Sequence, residues 1–105
     1  MIICLTVKNL IQKMIKSFKD KYAQMLFARK RVLKWKHIER SAWKALQYLH
    51  RAESLADLSV FSGLRLEKLV GQRKGQYSIR INDQYRICFW WKNGNTYEVE
   101  ITDYH

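Results

Sequence analysis

The chain has 105 residues, a net charge of +11, no proline and two cysteines. That length makes one domain with one core; the isolated Cys4 and Cys88 exclude a disulfide framework and form no metal spacing; and no apolar run is long enough to span a membrane. The charge is lopsided, with +10 in residues 1–50 and +1 in residues 51–105, and such an excess attracts polyanions, nucleic acid first and an anionic membrane surface next.

Taken in order, the opening MIICLTVKNL has an apolar run but neither a basic leader nor a small-residue cleavage site. It does not read as a secretion signal, and the chain is expected to stay in the cytoplasm. Residues 1–13 read as an N-terminal extension, either an upstream start or an additional strand or turn. Met14 to Phe18 alternates apolar and polar and predicts a short first strand. Ser17 and Asp20 are both N-cap candidates for a first helix ending near Ala28, whose face is Phe18, Tyr22, Met25 and Leu26. Arg29-Lys30-Arg31 marks its end or a tight connection.

The second helix has the clearest pattern. Trp35, Ile38, Ala42, Ala45, Leu46 and Leu49 recur at steps of three and four and predict one buried stripe. Lys34, Lys36, Arg40 and Lys44 fall outside it. Trp35 reads as core, Trp43 as the edge of the stripe, and His37 and His50 as surface residues. Ser54 is placed to cap a short turn through Leu58, with Glu53 and Asp57 near its start. Ser62-Gly63 then breaks the chain before a strand-rich last third.

There, Tyr77, Ile79 and Ile81 alternate with Ser78 and Arg80. Tyr85, Ile87, Phe89 and Trp91 alternate with Arg86, Cys88 and Trp90, and Tyr97, Val99 and Ile101 with Glu98, Glu100 and Thr102. Each strand offers one apolar face, as when helices cover one side of an antiparallel sheet. The expected architecture is α+β: two or three N-terminal helices on one face of a mainly antiparallel sheet of four to five strands. The joints are Asn82-Asp83-Gln84 and Asn93-Gly94-Asn95. A two-residue turn at Asn93-Gly94 would set Ile87 opposite Glu100 and bring a carboxylate to the core, so both loops are expected to have three residues. The same register puts Arg80 across from Arg86. Like charges so placed repel, so either Glu98 and Glu100 offset them or the pair awaits a phosphate, which Arg grips with parallel hydrogen bonds.

The run R-K-G-Q-Y-S-I-R-I-N-D-Q-Y-R-I-C-F, followed by V-E-I-T-D-Y-H at the C-terminus, resembles the HigB toxins of the RelE/ParE superfamily, also known as plasmid maintenance killer proteins. The resemblance covers residues 14–105, read as the toxin domain, and is strongest from Leu66 onward. It implies a type II toxin–antitoxin toxin acting as a ribosome-dependent mRNA endonuclease. The implied partners are a HigA-like helix-turn-helix antitoxin, the ribosome and the mRNA in its A site, with a homodimer or a toxin–antitoxin heterotetramer left open. Arg86 matches the family's catalytic arginine, and Asp103, Tyr104 and His105 match its terminal D-Y-H. Arg73 and Gly75 match its basic loop. One position departs: where family members commonly read L-K-G-D-R, with a functional lysine, this chain has Leu69-Val70-Gly71-Gln72-Arg73, and Lys68 or Lys74 would have to compensate.

Cutting RNA without a metal needs a base for the 2′-OH proton, cations for the phosphorane and an acid for the departing 5′-oxygen. Arg86 is the expected charge stabiliser, since guanidinium does not deprotonate, in one solvent-open pocket with the last three side chains, and Lys68, Arg73, Lys74 and Arg80 are expected to hold flanking phosphates. His105 titrates near neutrality and is expected to be acid or base. Tyr104 either stacks or donates a proton, and Asp103 either orients His105 or is itself the base. The three histidines are scattered, so neither metal nor cofactor is expected. The competing readings are a ParE-like gyrase inhibitor on a similar fold and a non-catalytic ribosome- or RNA-binding module.

Overall fold

The computed structural model describes residues 15–103; residues 1–13, expected to be an extension, lie outside them. Three helices, α1 (Lys21–Phe27), α2 (Glu39–Arg51) and α3 (Leu55–Ser59), precede a sheet of β1 (Glu67–Lys68), β2 (Gln76–Arg80), β3 (Tyr85–Lys92) and β4 (Asn95–Asp103). The strands are antiparallel in the order β1-β2-β3-β4. The α+β expectation holds, with four strands in the sheet. The expected first strand is reduced to isolated parallel bridges, Ile15 to Thr96 and Phe18 to Val99, along the outer side of β4.

Local chemistry explains the helices. Asp20, not Ser17, caps α1, its carboxylate accepting the Tyr22 N–H at 2.9 Å, an arrangement that stabilises a helix end by about 1 kcal/mol. The stripe from Trp35 to Leu49 is buried as expected, although Leu33–Ile38 winds as a tighter 3-10 helix before α2 begins. Ser54 and Asp57 form a reciprocal capping box on α3, which satisfies two of the end's orphan N–H groups. Arg29 lies 3.8 Å from the centre of the Trp43 ring, so the basic joint after α1 folds back over α2. His50 contradicts its surface assignment. It is 8% exposed, and its ring meets the edge of Phe27 at 4.9 Å. Among the described residues no helix is long and apolar enough to cross a membrane.

The sheet register follows the hydrophobic pattern by two different devices. In the first hairpin Ile79 pairs with Ile87 and Arg80 with Arg86. The Ile81 N–H then donates to the Tyr85 carbonyl at 2.9 Å, closing the expected loop of Asn82, Asp83 and Gln84. The second hairpin corrects the expectation. Lys92 pairs with Asn95, so Asn93 and Gly94 alone make the turn, with φ of 52° and 79°. Two left-handed residues are the tight turn that suits twisted strands. Glu100 is nevertheless kept out of the core, because a β-bulge between Cys88 and Trp90 restores Ile87 to Ile101. Glu98 is the additional residue, with φ of 53°. Left-handed backbone costs a non-glycine residue roughly 1–2 kcal/mol, whereas an ionised carboxylate in the core would cost several. The bulge is therefore the cheaper solution, and Ser17 supports it by accepting the Glu98 N–H at 2.9 Å.

The bulge also changes which side chains share a face. Below it Val99 and Ile101 face the helices. Beyond it Thr96 is fully buried, while Tyr97 sits opposite Trp90, so the expected Tyr97–Val99–Ile101 stripe is broken. The core joins Ile79, Ile87, Phe89, Val99 and Ile101 to Leu26, Leu46, Leu49 and Leu58, side chains whose burial stabilises by about 1.5–3 kcal/mol each.

Candidate active site on the face away from the helices

The face of the sheet opposite the helices carries Ser78, Arg80, Arg86, Cys88, Trp90, Glu100 and Thr102, by strand alternation and the observed pairs. It is not an open polar surface. Residues following β1, Leu69 to Arg73, lie against it beside Cys88 and Thr102, and Ser78, Arg86 and Cys88 are all buried. Arg86, expected in a pocket open to solvent, is only 7% exposed. Its Nε donates to Ser78 Oγ at 2.8 Å, and its Nη2 to the carbonyls of Arg65 and Ser78. A buried guanidinium persists only when such acceptors replace its water. Arg86 is thus a fixed charge whose plane is set from two sides.

The neighbouring cations are held differently. Arg80 lies directly across from Arg86, but its guanidinium turns to Asp83 in the hairpin loop. Asp83, rather than Glu98 or Glu100, offsets that like-charge pair; the hydrogen bond and charge of Arg80 hold its carboxyl below the ordinary range. Arg73 Nη1 donates to Glu100 Oε2 at 3.1 Å and to Gln76 Oε1 at 3.3 Å, and the Glu100 bond raises its pKa further. Lys19 reaches the same carboxylate at 3.6 Å. Lys68 and Lys74 are exposed.

Beside this framework lies a cleft of about 350 Å³ lined by Leu69, Val70, Gln72, Arg73, Cys88 and Thr102. Val70 stands at its lip, 83% exposed. The departure from the family pattern therefore falls where a side chain points outward beside the cleft. A larger cleft of about 600 Å³ lies on the helical side, between Trp43 and Phe61, and is lined by none of Arg73, Arg80 and Arg86.

Thr102 is the cross-strand partner of Arg86, and Asp103 follows it opposite Tyr85. The last described residue thus begins one step beyond the arginine, but Asp103 shares the Tyr85 side of the strand. Its carboxylate accepts from Gln84 Nε2 at 3.2 Å. Tyr104 and His105 lie outside the described residues. The structure therefore brings together Arg73, Arg86 and the end of β4, and leaves Arg80 engaged with Asp83. Sequence reasoning missed Ser78 and the Arg65 carbonyl as the anchors of Arg86. The cross-strand pairing, with Ser78 opposite Cys88 and so diagonal to Arg86, was the available signal for the first. Among the described residues no group of three or more His, Cys, Asp or Glu is placed to hold a metal ion.

The family model described as the RelE-like toxin of the type II toxin–antitoxin system HigB matches residues 16–105. The chain is 38% identical over 86 residues to Toxin HigB-1 of Vibrio cholerae serotype O1, covering 76% of this chain and 90% of that protein. It is 32% identical over 94 residues to Endoribonuclease HigB of Proteus vulgaris, covering 88% of this chain and all of that protein. The chain belongs to the HigB family of RelE-like toxins from type II toxin–antitoxin systems, a class that acts opposite an antitoxin.

Proposed function

We propose that this toxin is an endoribonuclease that cuts mRNA on the ribosome, in the cytoplasm, through the domain formed by residues 14–105. The carrying observation is Arg86: a charged group fixed by Ser78 and Arg65, one cross-strand step from the chain's last residues and close to Arg73 and the cleft. The name of the Proteus vulgaris relative supports the reaction class. In the proposed reaction a base removes the 2′-OH proton, the 2′-oxygen attacks the adjacent phosphorus, and the bond to the 5′-oxygen breaks. A cyclic phosphate and a 5′-hydroxyl result. Arg86 stabilises the phosphorane with a charge that needs no reorganisation, and Arg73 and Lys74 hold a flanking phosphate. Lys68 is exposed but pairs with Tyr77 on the helical side of the sheet, so the register does not bring it to that phosphate. Arg80 contributes only after parting from Asp83. Asp103, Tyr104 and His105 supply base and acid.

The +10 charge of residues 1–50 supports contact with ribosomal RNA. A HigA-like antitoxin restrains the toxin, in a heterotetramer or a simpler complex. Inducing the wild type and His105→Ala in cells and mapping mRNA 5′ ends tests the proposal. Cuts inside reading frames from the wild type alone support it. A DNA-damage response without cuts would replace it with gyrase poisoning. Ribosome co-sedimentation without cuts would reduce the chain to a binding module.

A further inference from the structure

We propose that Trp90 and Tyr97 form a stacking site for an unpaired base of single-stranded RNA, next to the cleft lined by Arg73 and Cys88 on the same face of the sheet. The inference rests on the endoribonuclease reading for its ligand class and adds a subsite to it.

Four observations carry it. First, the bulge at Glu98 places Tyr97 opposite Trp90 across β3 and β4. Without that additional residue strand alternation would have sent Tyr97 to the helical side. Second, neither residue belongs to the core or packs against it, whereas Tyr77 and Trp91 do, and Trp90 is 42% exposed. Third, the Trp90 ring has a backing. A Cβ added to Gly75 would come within 2.5 Å of Trp90 Cζ3, and Gly75 has φ of 100°. The glycine therefore lets the basic loop run against the indole and hold it in place. Fourth, a cleft of about 590 Å³ opens there, lined by Trp90, Trp91, Lys92, Asn93, Tyr97 and Glu98.

The surroundings suit a nucleotide. Trp90 lies two residues along β3 from Cys88 in the arginine cleft, a separation of about 7 Å, so a strand gripped at one phosphate can place a neighbouring base here. Lys74 and Lys92 supply positive charge. Of the two carboxylates on this rim, Glu100 is neutralised by Arg73 and Lys19, and Glu98 remains exposed. An aromatic face beside cations is the usual design for holding unpaired bases with little sequence preference.

The test measures affinity of the full-length chain for a short labelled single-stranded RNA and for its duplex, by fluorescence anisotropy across salt concentrations. Trp90→Ala and Tyr97→Ala are expected to weaken single-strand binding between about fivefold and about a hundredfold, the worth of one stack. Trp90→Phe should stay within about threefold of wild type. The salt slope and duplex binding should not move, since no phosphate contact is lost. Unchanged single-strand affinity in both alanine variants overturns the proposal. So does an equal loss on duplex, a wild type that binds no single-stranded RNA, or a loss confined to antitoxin binding, which would make the site a protein interface. Stacking in a chain that cuts no mRNA upholds this site and removes only the cleavage reading. mRNA cut equally by wild type and Trp90→Ala removes only the stacking site.

Discussion

Ser78→Ala tests whether Arg86 is set in place by its buried neighbours. Ser78 is fully buried, and its Oγ receives Arg86 Nε at 2.8 Å. Truncation takes away the acceptor of Arg86 Nε, while Nη2 keeps the carbonyls of Arg65 and Ser78. A hydrogen bond to a charged group contributes about 1.5–3 kcal/mol, and an unsatisfied buried charge costs at the upper end of that range. The expected loss is about 2–3 kcal/mol, which lowers the melting temperature of a domain this size by roughly 8–20 °C. Cleavage should fall as well, by about tenfold or more, because a group mispositioned by a fraction of an ångström forfeits stabilisation. Urea unfolding and 5′-end mapping on one preparation read both effects. Adding Arg86→Met should recover part of the stability, since it removes the stranded charge, and none of the activity. Ser78→Ala within about 0.5 kcal/mol of wild type and fully active would refute the argument, because the bond would then contribute neither to folding nor to function.

Two further outcomes follow from other residues. Val70→Lys, at the exposed lip of the cleft, should raise cleavage by up to about fivefold, the worth of one exposed ion pair; an unchanged or lower cut frequency in cells would show that Lys74 already fills that role. The His50 pKa is lowered from 6.5 by burial and then by the charge of Arg51. Between pH 6.5 and the lower folded value the unfolded chain binds the additional proton, so stability rises with pH there and is lost as pH falls. The slope is at most about 1.4 kcal/mol per pH unit. Above that window His50 is neutral in both states and contributes no pH dependence. Urea midpoints against pH for wild type and His50→Gln check this, and parallel curves would remove the assignment.

The helices, the first hairpin and the Arg80–Arg86 pair were legible because each rests on local periodicity. Ile87 was rightly kept from Glu100, but that constraint has two solutions. The Asn93-Gly94 pair pointed to the tight turn, and the compensating bulge depends on Ser17 and Val99, distant contacts that alternation does not encode. His50 lies four residues beyond Leu46 on the same stripe, yet its residue type suggested solvent; the Phe27 ring that covers it belongs to another helix. Arg86 was placed on the correct face. Its burial was not readable, since it depends on where Arg65 and the loop that follows β1 come to lie.

The parallel run of residues 15–19 has a consequence for recognition. Lys16 and Lys19 donate backbone N–H groups to Thr96 and Val99, and Val99 donates to Ser17, so that side of β4 already has a companion. At the far margin β1 is a mere two residues long. A visiting polypeptide therefore finds no lengthy row of vacant amides along the described sheet to extend. To silence this toxin by lending a strand there, it would first have to evict residues 15–19.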